Sequence, residues 1–240
     1  MPNDHNTPSA QKALVLLSGG MDSTVLLHQT AREHGAGGVR AISFNYGQRH
    51  HRELECAAYQ ARAAGADHRT VDLSFLGELL REGSSLIAGG AAVPDLADLA
   101  ADDLAQPPTY VPNRNMMLLS MAAAHAEAVG ITEVYYGAQA QDEYGYWDCT
   151  AAFLDRLNHT LALNRKSPVT IHAPFVGKSK AELVALGQSL GVDFSHTWSC
   201  YRGGGAPCGT CPTCVERANA FAAAGVSDPR SSTTGPNAPE

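Results

Sequence analysis

One segment indicates the fold of the chain: Leu14-Val15-Leu16-Leu17-Ser18-Gly19-Gly20-Met21-Asp22-Ser23-Thr24. Its apolar first half predicts a short buried strand, the Ser-Gly-Gly turn ends it, and Asp22 opens an amphipathic helix. Glycines let a backbone adopt positive φ and approach a ligand closely, while the free N–H groups of a helix N-terminus attract anions. The stretch therefore predicts a phosphate or pyrophosphate site, the alternative being an ordinary strand–helix turn with an Asp/Ser cap.

Two common phosphate-binding motifs do not fit this turn. No Lys follows Gly20, and the later Gly177-Lys178-Ser179 has His172 where G-x4-G-K-[ST] requires its first Gly. The dinucleotide pattern G-x-G-x-x-G is also missing from the turn. The remaining pattern, Ser-Gly-Gly-x-Asp-Ser, resembles the pyrophosphate-binding loop of ATP pyrophosphatases. This resemblance implies a Rossmann-like fold and an enzyme that releases pyrophosphate and joins AMP to an acceptor oxygen.

Composition limits the classes of protein that the chain can represent. Its 240 residues, 44% of them hydrophobic, suit one α/β domain with a small appendage. A formal net charge of −7 without basic runs argues against non-specific binding of nucleic acid. Residues 1–11 lack the features of a signal peptide, and no apolar run approaches the ~20 residues of a membrane span. We therefore predict a cytoplasmic protein with no membrane partner and reduced thiols.

Strand and helix patterns alternate along the chain, which predicts a doubly wound, mostly parallel α/β sheet with ligands at the carboxyl ends of its strands. The predicted strands are 12–17, 39–44, 68–73, 133–137 and 169–173. The predicted helices are 22–33, 50–64, 114–129, 151–164 and 178–190. Residues 83–108 are rich in Gly, Ala, Asp and Pro, and this composition predicts either a mobile lid over the site or a disordered surface loop.

We predict four parts along the chain. Residues 1–11 are expected to be disordered, 12–195 to form the nucleotide-binding domain, and 196–225 to form a cysteine-bearing loop followed by a short Ala-rich helix. Residues 226–240, rich in Ser, Thr, Pro and Gly, predict a disordered tail.

Four cysteines near the carboxyl end have the spacing of a metal site. Cys200, Cys208, Cys211 and Cys214 form C-x7-C-x2-C-x2-C, with Pro and Gly between them. Four thiolates around one ion are the closed arrangement of structural Zn2+. An iron–sulfur cluster is the competing interpretation, because bacterial ferredoxins also use C-x2-C-x2-C. The loop has few nearby cations, which favours a structural clamp over a zinc ribbon that binds nucleic acid. Cys56, outside the cluster, is predicted to be a small core residue.

Three further segments narrow the resemblance. They are Phe44-Asn45-Tyr46-Gly47-Gln48-Arg49-His50, Val111-Pro112-Asn113-Arg114-Asn115 and Tyr146-Trp147-Asp148-Cys149. Together with the loop and the four cysteines, this order resembles the 7-cyano-7-deazaguanine synthase family from about Lys12 to Phe221. The chain departs from the family pattern at Asn45 (usually Gln), Trp147 (usually Pro) and Thr150 (usually Arg), and its first Cys spacing is one residue shorter than in some members. An adenylating enzyme with a different acceptor, or a zinc-ribbon binding module, is the alternative.

The resemblance implies a reaction as well as a fold. It implies an ATP-dependent ligase that converts 7-carboxy-7-deazaguanine and ammonia into 7-cyano-7-deazaguanine, the nitrile precursor of queuosine and related deazapurines. The acid and then the amide would be adenylated, so two ATP are consumed. Mg2+ is expected with ATP because the leaving group is multiply charged. The partners implied are the small deazapurine and ammonia, with no nucleic acid, and family members are often homodimers.

The candidate site residues follow from the loop and the resemblance. The predicted nucleotide-binding residues are Leu17, Ser18, Gly19, Gly20, Met21, Asp22, Ser23, Thr24, Val25, Leu26 and Leu27. The predicted catalytic residues are Ser18, Asp22, Ser23 and Arg114. The predicted substrate-binding residues are Tyr46, Gln48, Arg114, Asn115, Asp142, Tyr146 and Asp148, with Tyr144 and Trp147 as further candidates for stacking. Lys180 is expected to be a solvated helical lysine, although it could reach phosphate, and His50-His51 to begin a helix at the surface.

Overall fold

A single parallel sheet organises the described part of the chain. The computed structural model describes residues 12–35, 37–100, 106–140 and 145–230. Within these residues the sheet has five strands in the order β3-β2-β1-β4-β5, each paired in parallel with its neighbours. The strands are β1 Ala13–Leu16, β2 Val39–Asn45, β3 Asp67–Asp72, β4 Glu133–Tyr135 and β5 Thr170–His172. The predicted doubly wound α/β class is confirmed.

Helices connect these strands and cover both faces of the sheet. They are α1 Met21–His34, α2 Arg52–Ala63, α3 Leu76–Leu80, α4 Arg114–Val129, α5 Ala151–Leu161, α6 Lys180–Ser189 and α7 Pro212–Ala223. The sequence prediction missed α3, because five residues are too few to display a helical period. The bounds of α4 agree with the prediction.

The two faces of the sheet carry separate hydrophobic clusters, as the alternation of β1 shows. Leu14 belongs to a cluster that includes Leu119 of α4 and Phe153 of α5. Its neighbours Ala13 and Val15 belong to a second cluster with α1, α6 and α7. Because successive side chains of a strand point to opposite faces, both faces of β1 are buried, which explains its uninterrupted apolar run.

The segment after α3 is packed against the main body. Ile87 pairs with Gln48 in an isolated antiparallel bridge, and Leu86 and Ile87 are almost fully buried. The guanidinium of Arg49 donates hydrogen bonds to carbonyl groups in this segment, including those of Gly90 and Ala91, both at 2.9 Å. Residues 84–93 are therefore not a disordered loop, and that prediction is wrong there, whereas the mobile lid stays a prediction. The part of the predicted loop at 101–105 lies outside the described residues.

The beginning of the predicted disordered tail is also wrong. Asp228 accepts two hydrogen bonds from Arg217 of α7, at 2.8 and 2.9 Å, and both side chains are buried. The guanidinium carbon of Arg230 lies over the Trp198 ring, 5.2 Å from its centroid. Residues 226–230 are thus fastened to the cysteine-bearing segment. Residues 1–11 and 231–240, also predicted to be disordered, lie outside the described residues.

Among the described residues, the structure contains no helix of the length and apolar character needed to cross a bilayer.

Candidate active site

Two cavities flank the loop that follows β1, at the carboxyl ends of the strands. The first lies between the ends of β1, β2 and β4 and the start of α4, and Ser18, Ser23, Tyr46 and Arg114 line it. The second lies in front of the α1 N-terminus and extends to α6 and α7; its lining includes Gly20, Met21, Asp22, Lys180 and Arg217. His50, Glu53 and Tyr201 line both cavities. The nucleotide loop thus stands where the two cavities meet.

The loop is held in shape by close backbone packing and by its own hydroxyl groups. Gly19 has φ +88°, and a Cβ there would meet the Glu53 carbonyl oxygen of α2 at 1.9 Å. Ser18 and Ser23 share a hydrogen bond of 2.9 Å between their hydroxyl groups. The Gly20 N–H donates to Ser18 Oγ at 3.2 Å, and the Ser18 N–H donates to Ser23 Oγ at 3.2 Å. Gly20 caps α1, so the N-terminus of that helix faces the second cavity.

The apolar end of the predicted nucleotide-binding stretch does not reach either cavity. Val25, Leu26 and Leu27 are almost fully buried in the cluster shared with α6 and α7. Thr24 is likewise buried and lines neither cavity. The helix turns these four side chains away from its N-terminus and into the core, and their assignment to nucleotide binding stays a prediction.

Arg114 is the cation of the first cavity. It opens α4 directly after Asn113, whose left-handed φ of 54° turns the chain into the helix. Its half-buried guanidinium hydrogen-bonds the phenol of Tyr46, and among the described residues no carboxylate forms an ion pair with it. Burial raises the pKa of Tyr46, and Arg114 opposes this shift only in part. The cavity therefore presents a neutral phenol beside a positive charge that lacks a carboxylate partner.

Asn115 lines the first cavity, whereas Asp148 supports it from behind. The Asp148 carboxylate accepts a hydrogen bond of 3.0 Å from the Asn115 N–H, which caps the first turn of α4. The Asn115 side chain donates to Cys149 Sγ at 3.1 Å. Asp148 is 2% exposed and lines neither cavity. Its predicted contact with the substrate stays a prediction. Cys149, which had no predicted role, lies in the cavity wall.

Gln48 is also a supporting residue and not a wall of either cavity. Its Oε1 accepts from the Tyr46 N–H at 2.8 Å, and its Nε2 donates to the Phe44 carbonyl at 3.1 Å. The same Nε2 donates to Glu53 Oε1 at 3.0 Å. These bonds use both N–H groups of the amide, and the predicted substrate contact of Gln48 stays a prediction. Its bonds orient Glu53, which the sequence analysis did not single out.

The aromatic residues around position 146 are not brought into the cavities. Tyr146 shares a hydrogen bond of 2.8 Å with Thr109, and Trp147, 46% exposed, donates to the Tyr110 hydroxyl at 2.8 Å. Thr150 caps α5 by accepting from the Phe153 N–H. The predicted substrate contacts of Tyr146 and Trp147 stay predictions. Asp142 and Tyr144 lie outside the described residues.

Two residues that the sequence placed at the surface belong to the site. His50 is 4% exposed and lines both cavities, while the adjacent His51 is exposed. Lys180 lines the second cavity and pairs with Glu216, so it is not a solvated lysine. The available signal was position alone, since His50 follows the second strand, where the carboxyl ends of a doubly wound sheet converge.

The four predicted metal ligands come together. The Sγ atoms of Cys200, Cys208, Cys211 and Cys214 all lie within 4.8 Å of one another. Tetrahedral Zn–S bonds of about 2.3 Å place sulfurs ~3.8 Å apart, so this group fits a single ion. The N–H groups of Cys208 and Cys211 donate to sulfurs of the same group, at 3.4 and 3.3 Å. Such bonds favour thiolates, which are the form that ligates a metal.

The cysteine group is linked to the nucleotide loop. The Trp198 N–H donates to the Gly19 carbonyl at 2.9 Å, and the Trp198 indole donates to the Cys200 carbonyl at 2.8 Å. Trp198 is 1% exposed and packs with Cys56, which is buried as predicted. The metal-ligand geometry therefore bears directly on the position of Gly19.

Comparison with known proteins identifies the family. The profile of the family described as Queuosine biosynthesis protein QueC matches residues 12–225. A 7-cyano-7-deazaguanine synthase of Chromohalobacter salexigens is 44% identical over 218 residues, covering 91% of this chain and 84% of that protein. A 7-cyano-7-deazaguanine synthase of Archaeoglobus fulgidus is 44% identical over 219 residues, covering 91% and 89%.

The solved structure of NMN synthetase from Francisella tularensis has the same fold, with a TM-score of 0.51 at 14% identity, covering 91% of this chain and 79% of that one. At that identity the likeness concerns the fold alone. The family profile spans the whole sheet, both cavities and the four cysteines, and the two synthases align with nine-tenths of the chain. The chain belongs to the QueC family.

Proposed function

We propose that the protein is an ATP-dependent carbon–nitrogen ligase that converts 7-carboxy-7-deazaguanine and ammonia into 7-cyano-7-deazaguanine, in the biosynthesis of queuosine or a related deazapurine. The observation that carries this proposal is the 44% identity to synthases of that name over nine-tenths of the chain. The cavities agree with it, because a helix N-terminus for phosphate lies next to a cation for a carboxylate.

The chemistry requires activation because a carboxylate is a poor electrophile toward ammonia. Adenylation converts one carboxylate oxygen into a leaving group, AMP, and attack by ammonia then gives the amide. A second adenylation, on the amide oxygen, allows loss of AMP and formation of the nitrile. One site serves both rounds, because each activates an oxygen on the same carbon. The protein contributes mainly position and charge.

The second cavity is proposed to hold the departing pyrophosphate. The N-terminus of α1 faces it, and Ser199 and Thr213 are part of its lining. Lys180 adds a positive charge from α6. Asp22, in the first turn of α1, would hold Mg2+, which when bound neutralises the charge that accumulates on the leaving group.

The first cavity is proposed to hold the deazapurine acid. Arg114 can form two parallel hydrogen bonds to its carboxylate, an arrangement that suits the planar guanidinium. The Tyr46 phenol and the Asn115 amide add neutral hydrogen-bonding groups to the same wall. The acid would then lie with its carboxylate toward the loop, within reach of the nucleotide.

The cysteine group is proposed to bind one Zn2+ in a structural role. Four sulfurs leave no open position for a substrate, so the ion would supply folding energy and not chemistry. Four free thiols in such a group suit the reducing cytoplasm, which we propose as the compartment. A homodimer, common in the family, also remains a proposal.

The departures from the family pattern do not favour a different acceptor. Trp147 and Thr150 line neither cavity, and Asn45 donates a hydrogen bond to Asp72 outside them. None of the three substituted residues is part of the wall of the first cavity. This supports the acceptor used by the family over a specialised one.

The test is direct turnover. The purified protein is incubated with ATP, Mg2+, ammonium and 7-carboxy-7-deazaguanine, and the products are followed by mass spectrometry. We expect the nitrile together with AMP and pyrophosphate. Unchanged acid and intact ATP, in a folded sample that contains zinc, would contradict the proposal and point to another acceptor.

A further inference from the structure

His50 is a buried histidine between the two cavities for which the proposed function has no use. It lines both cavities and is only 4% exposed. Its Nδ1 atom is fully buried and has no hydrogen-bond partner among the described residues. A buried polar atom without a partner is costly, so a polar atom of a bound ligand is expected to supply the missing contact.

The other ring nitrogen of His50 is oriented by Glu53. His50 Nε2 lies 3.2 Å from Glu53 Oε2, and a carboxylate can only accept hydrogen bonds. Nε2 therefore carries the proton, and Nδ1 is left with its lone pair. Glu53 is itself held by Gln48, which donates to Oε1 at 3.0 Å. A base oriented by a carboxylate, which is in turn fixed by an amide, is an arrangement suited to proton transfer.

The groups around His50 come from the walls of both cavities. The ring of Tyr201 lies beside it, with centroids 5.7 Å apart. Besides His50, the charged and titratable groups that line the first cavity are Tyr46, Glu53, Arg114, Tyr136, Cys149 and Tyr201. Those of the second cavity are Asp22, Glu53, Lys180, Tyr201 and Arg217. Lys180 pairs with Glu216, and Arg217 pairs with Asp228.

We propose that His50 accepts the proton that is released when ammonia attacks the adenylated carboxylate. This inference rests on the proposed function. The nitrogen lone pair forms the new C–N bond, and the C–O bond to AMP breaks with its electron pair on the phosphate oxygen. The surplus proton passes from nitrogen to His50 Nδ1. The resulting imidazolium is stabilised by the Glu53 carboxylate, and no redox change occurs.

The position of His50 agrees with this step. Ser18 and Ser23 of the loop border the first cavity, and Gly20 to Asp22 border the second. An acid held in the first cavity and a pyrophosphate in the second would place the mixed anhydride at their junction. His50 lies at that junction, which is where the attacking nitrogen must lose its proton.

The experiment separates adenylation from amide formation with His50→Asn and a matched control, His51→Asn. Asn keeps a hydrogen-bonding atom near the position of Nδ1 but cannot take up a proton. Each protein is first mixed with ATP, Mg2+ and the acid without ammonia, and pyrophosphate release is measured. Ammonium is then added, and amide is measured in a single turnover. His51 is exposed, and Asn is well tolerated at a helix N-cap, so the control should behave as wild type.

We expect His50→Asn to retain adenylation and to form amide ~100-fold or more slowly, the usual contribution of a general base. Amide formation at the wild-type rate would overturn the proposal. His50→Gln is the second variant; loss of adenylation in both would show a structural role and would also overturn it. A wild-type protein that forms no adenylate at all would instead refute the proposed function.

Glu53→Gln tests the positioning residue by a readout that packing alone would not alter. The rate of amide formation is measured against pH at constant free ammonia, so that titration of ammonium does not contribute. Without the Glu53 charge the imidazolium loses its partner, and the acid limb of the profile should move to lower pH. In His50→Asn the limb should disappear. A pH profile identical to that of the wild type in both variants would contradict the role of His50 as proton acceptor and of Glu53 as its partner.

Discussion

The Cα atom of Gly19 packs against the backbone carbonyl of Glu53, so closely that a methyl group at residue 19 would lie 1.9 Å from that oxygen. The contact joins the nucleotide loop to the first turn of α2, which carries the Glu53 side chain beside His50. Only glycine combines this approach with φ +88°. The geometry of the two cavities therefore depends on one missing Cβ.

Gly19→Ala should destabilise the protein by about 2–5 kcal/mol, as the sum of backbone strain and overpacking. Gly130→Ala is the matched control: its φ is +77°, but nothing lies within 4 Å of the added methyl group, so only strain of ~1 kcal/mol applies. Urea unfolding measures both. Equal losses in the two variants would show that the contact with Glu53 is unimportant.

Arg114→Lys should raise the KM for the acid about tenfold or more, because the ammonium cannot reproduce a bidentate contact with a carboxylate. The melting temperature should change little, since among the described residues no carboxylate pairs with Arg114. Arg165→Lys, at an exposed position, is the control. Steady-state kinetics with each substrate varied decide the matter. A rise in the KM for ATP alone would place phosphate, and not the acid, at Arg114.

Cys211→Ser should abolish binding of one Zn2+ per chain and lower the free energy of unfolding, because metal binding and folding are coupled. Cys56→Ser removes a buried thiol from the same hydrophobic cluster without removing a predicted ligand, so it should retain the metal. Elemental analysis and urea unfolding are the measurements. Iron in the wild-type protein, or no metal at all, would contradict the zinc assignment.

Asp228→Ala should cost about 3–5 kcal/mol, because it leaves the buried guanidinium of Arg217 without its carboxylate. Asp155→Ala removes an exposed partner of His159, with both side chains more than two-thirds exposed, and should cost no more than ~0.5 kcal/mol. Denaturant midpoints of the two variants give the comparison. A small loss for Asp228→Ala would mean that residues 226–230 contribute little to stability.

Several parts of the fold were predictable because their signals are local. The Ser-Gly-Gly turn and the apolar runs around it predict strand, turn and helix from neighbouring residues alone. The helix Arg114–Val129 was predicted with its observed bounds, since Val111-Pro112-Asn113 ends the irregular segment and Gly130 follows the last turn. The four cysteines were predictable because their ligand spacing is itself a local pattern, and their sulfurs meet as expected.

The polar residues of the site were less predictable, because the same residue type can bind a ligand or support a neighbour. Gln48 and Asp148 were predicted to contact substrate, yet one fixes Glu53 and the other caps α4. His50 was predicted to be exposed, yet it is buried between two cavities. In each case the role of the side chain depends on contacts in the folded chain, which composition and periodicity do not predict.

Residue types at short, fixed separations were enough to establish the α/β class, the nucleotide loop, the metal-ligand spacing and the family. The folded chain was needed to distinguish polar side chains that face the cavities from those that hydrogen-bond and position their neighbours. Two segments are also held against the main body in the folded chain. Arg49 donates a hydrogen bond to residues 84–93, and Arg217 pairs with Asp228 in residues 226–230. The physical reason is that burial and hydrogen-bond partners are set by segments far apart in the chain, which only the folded sheet brings together.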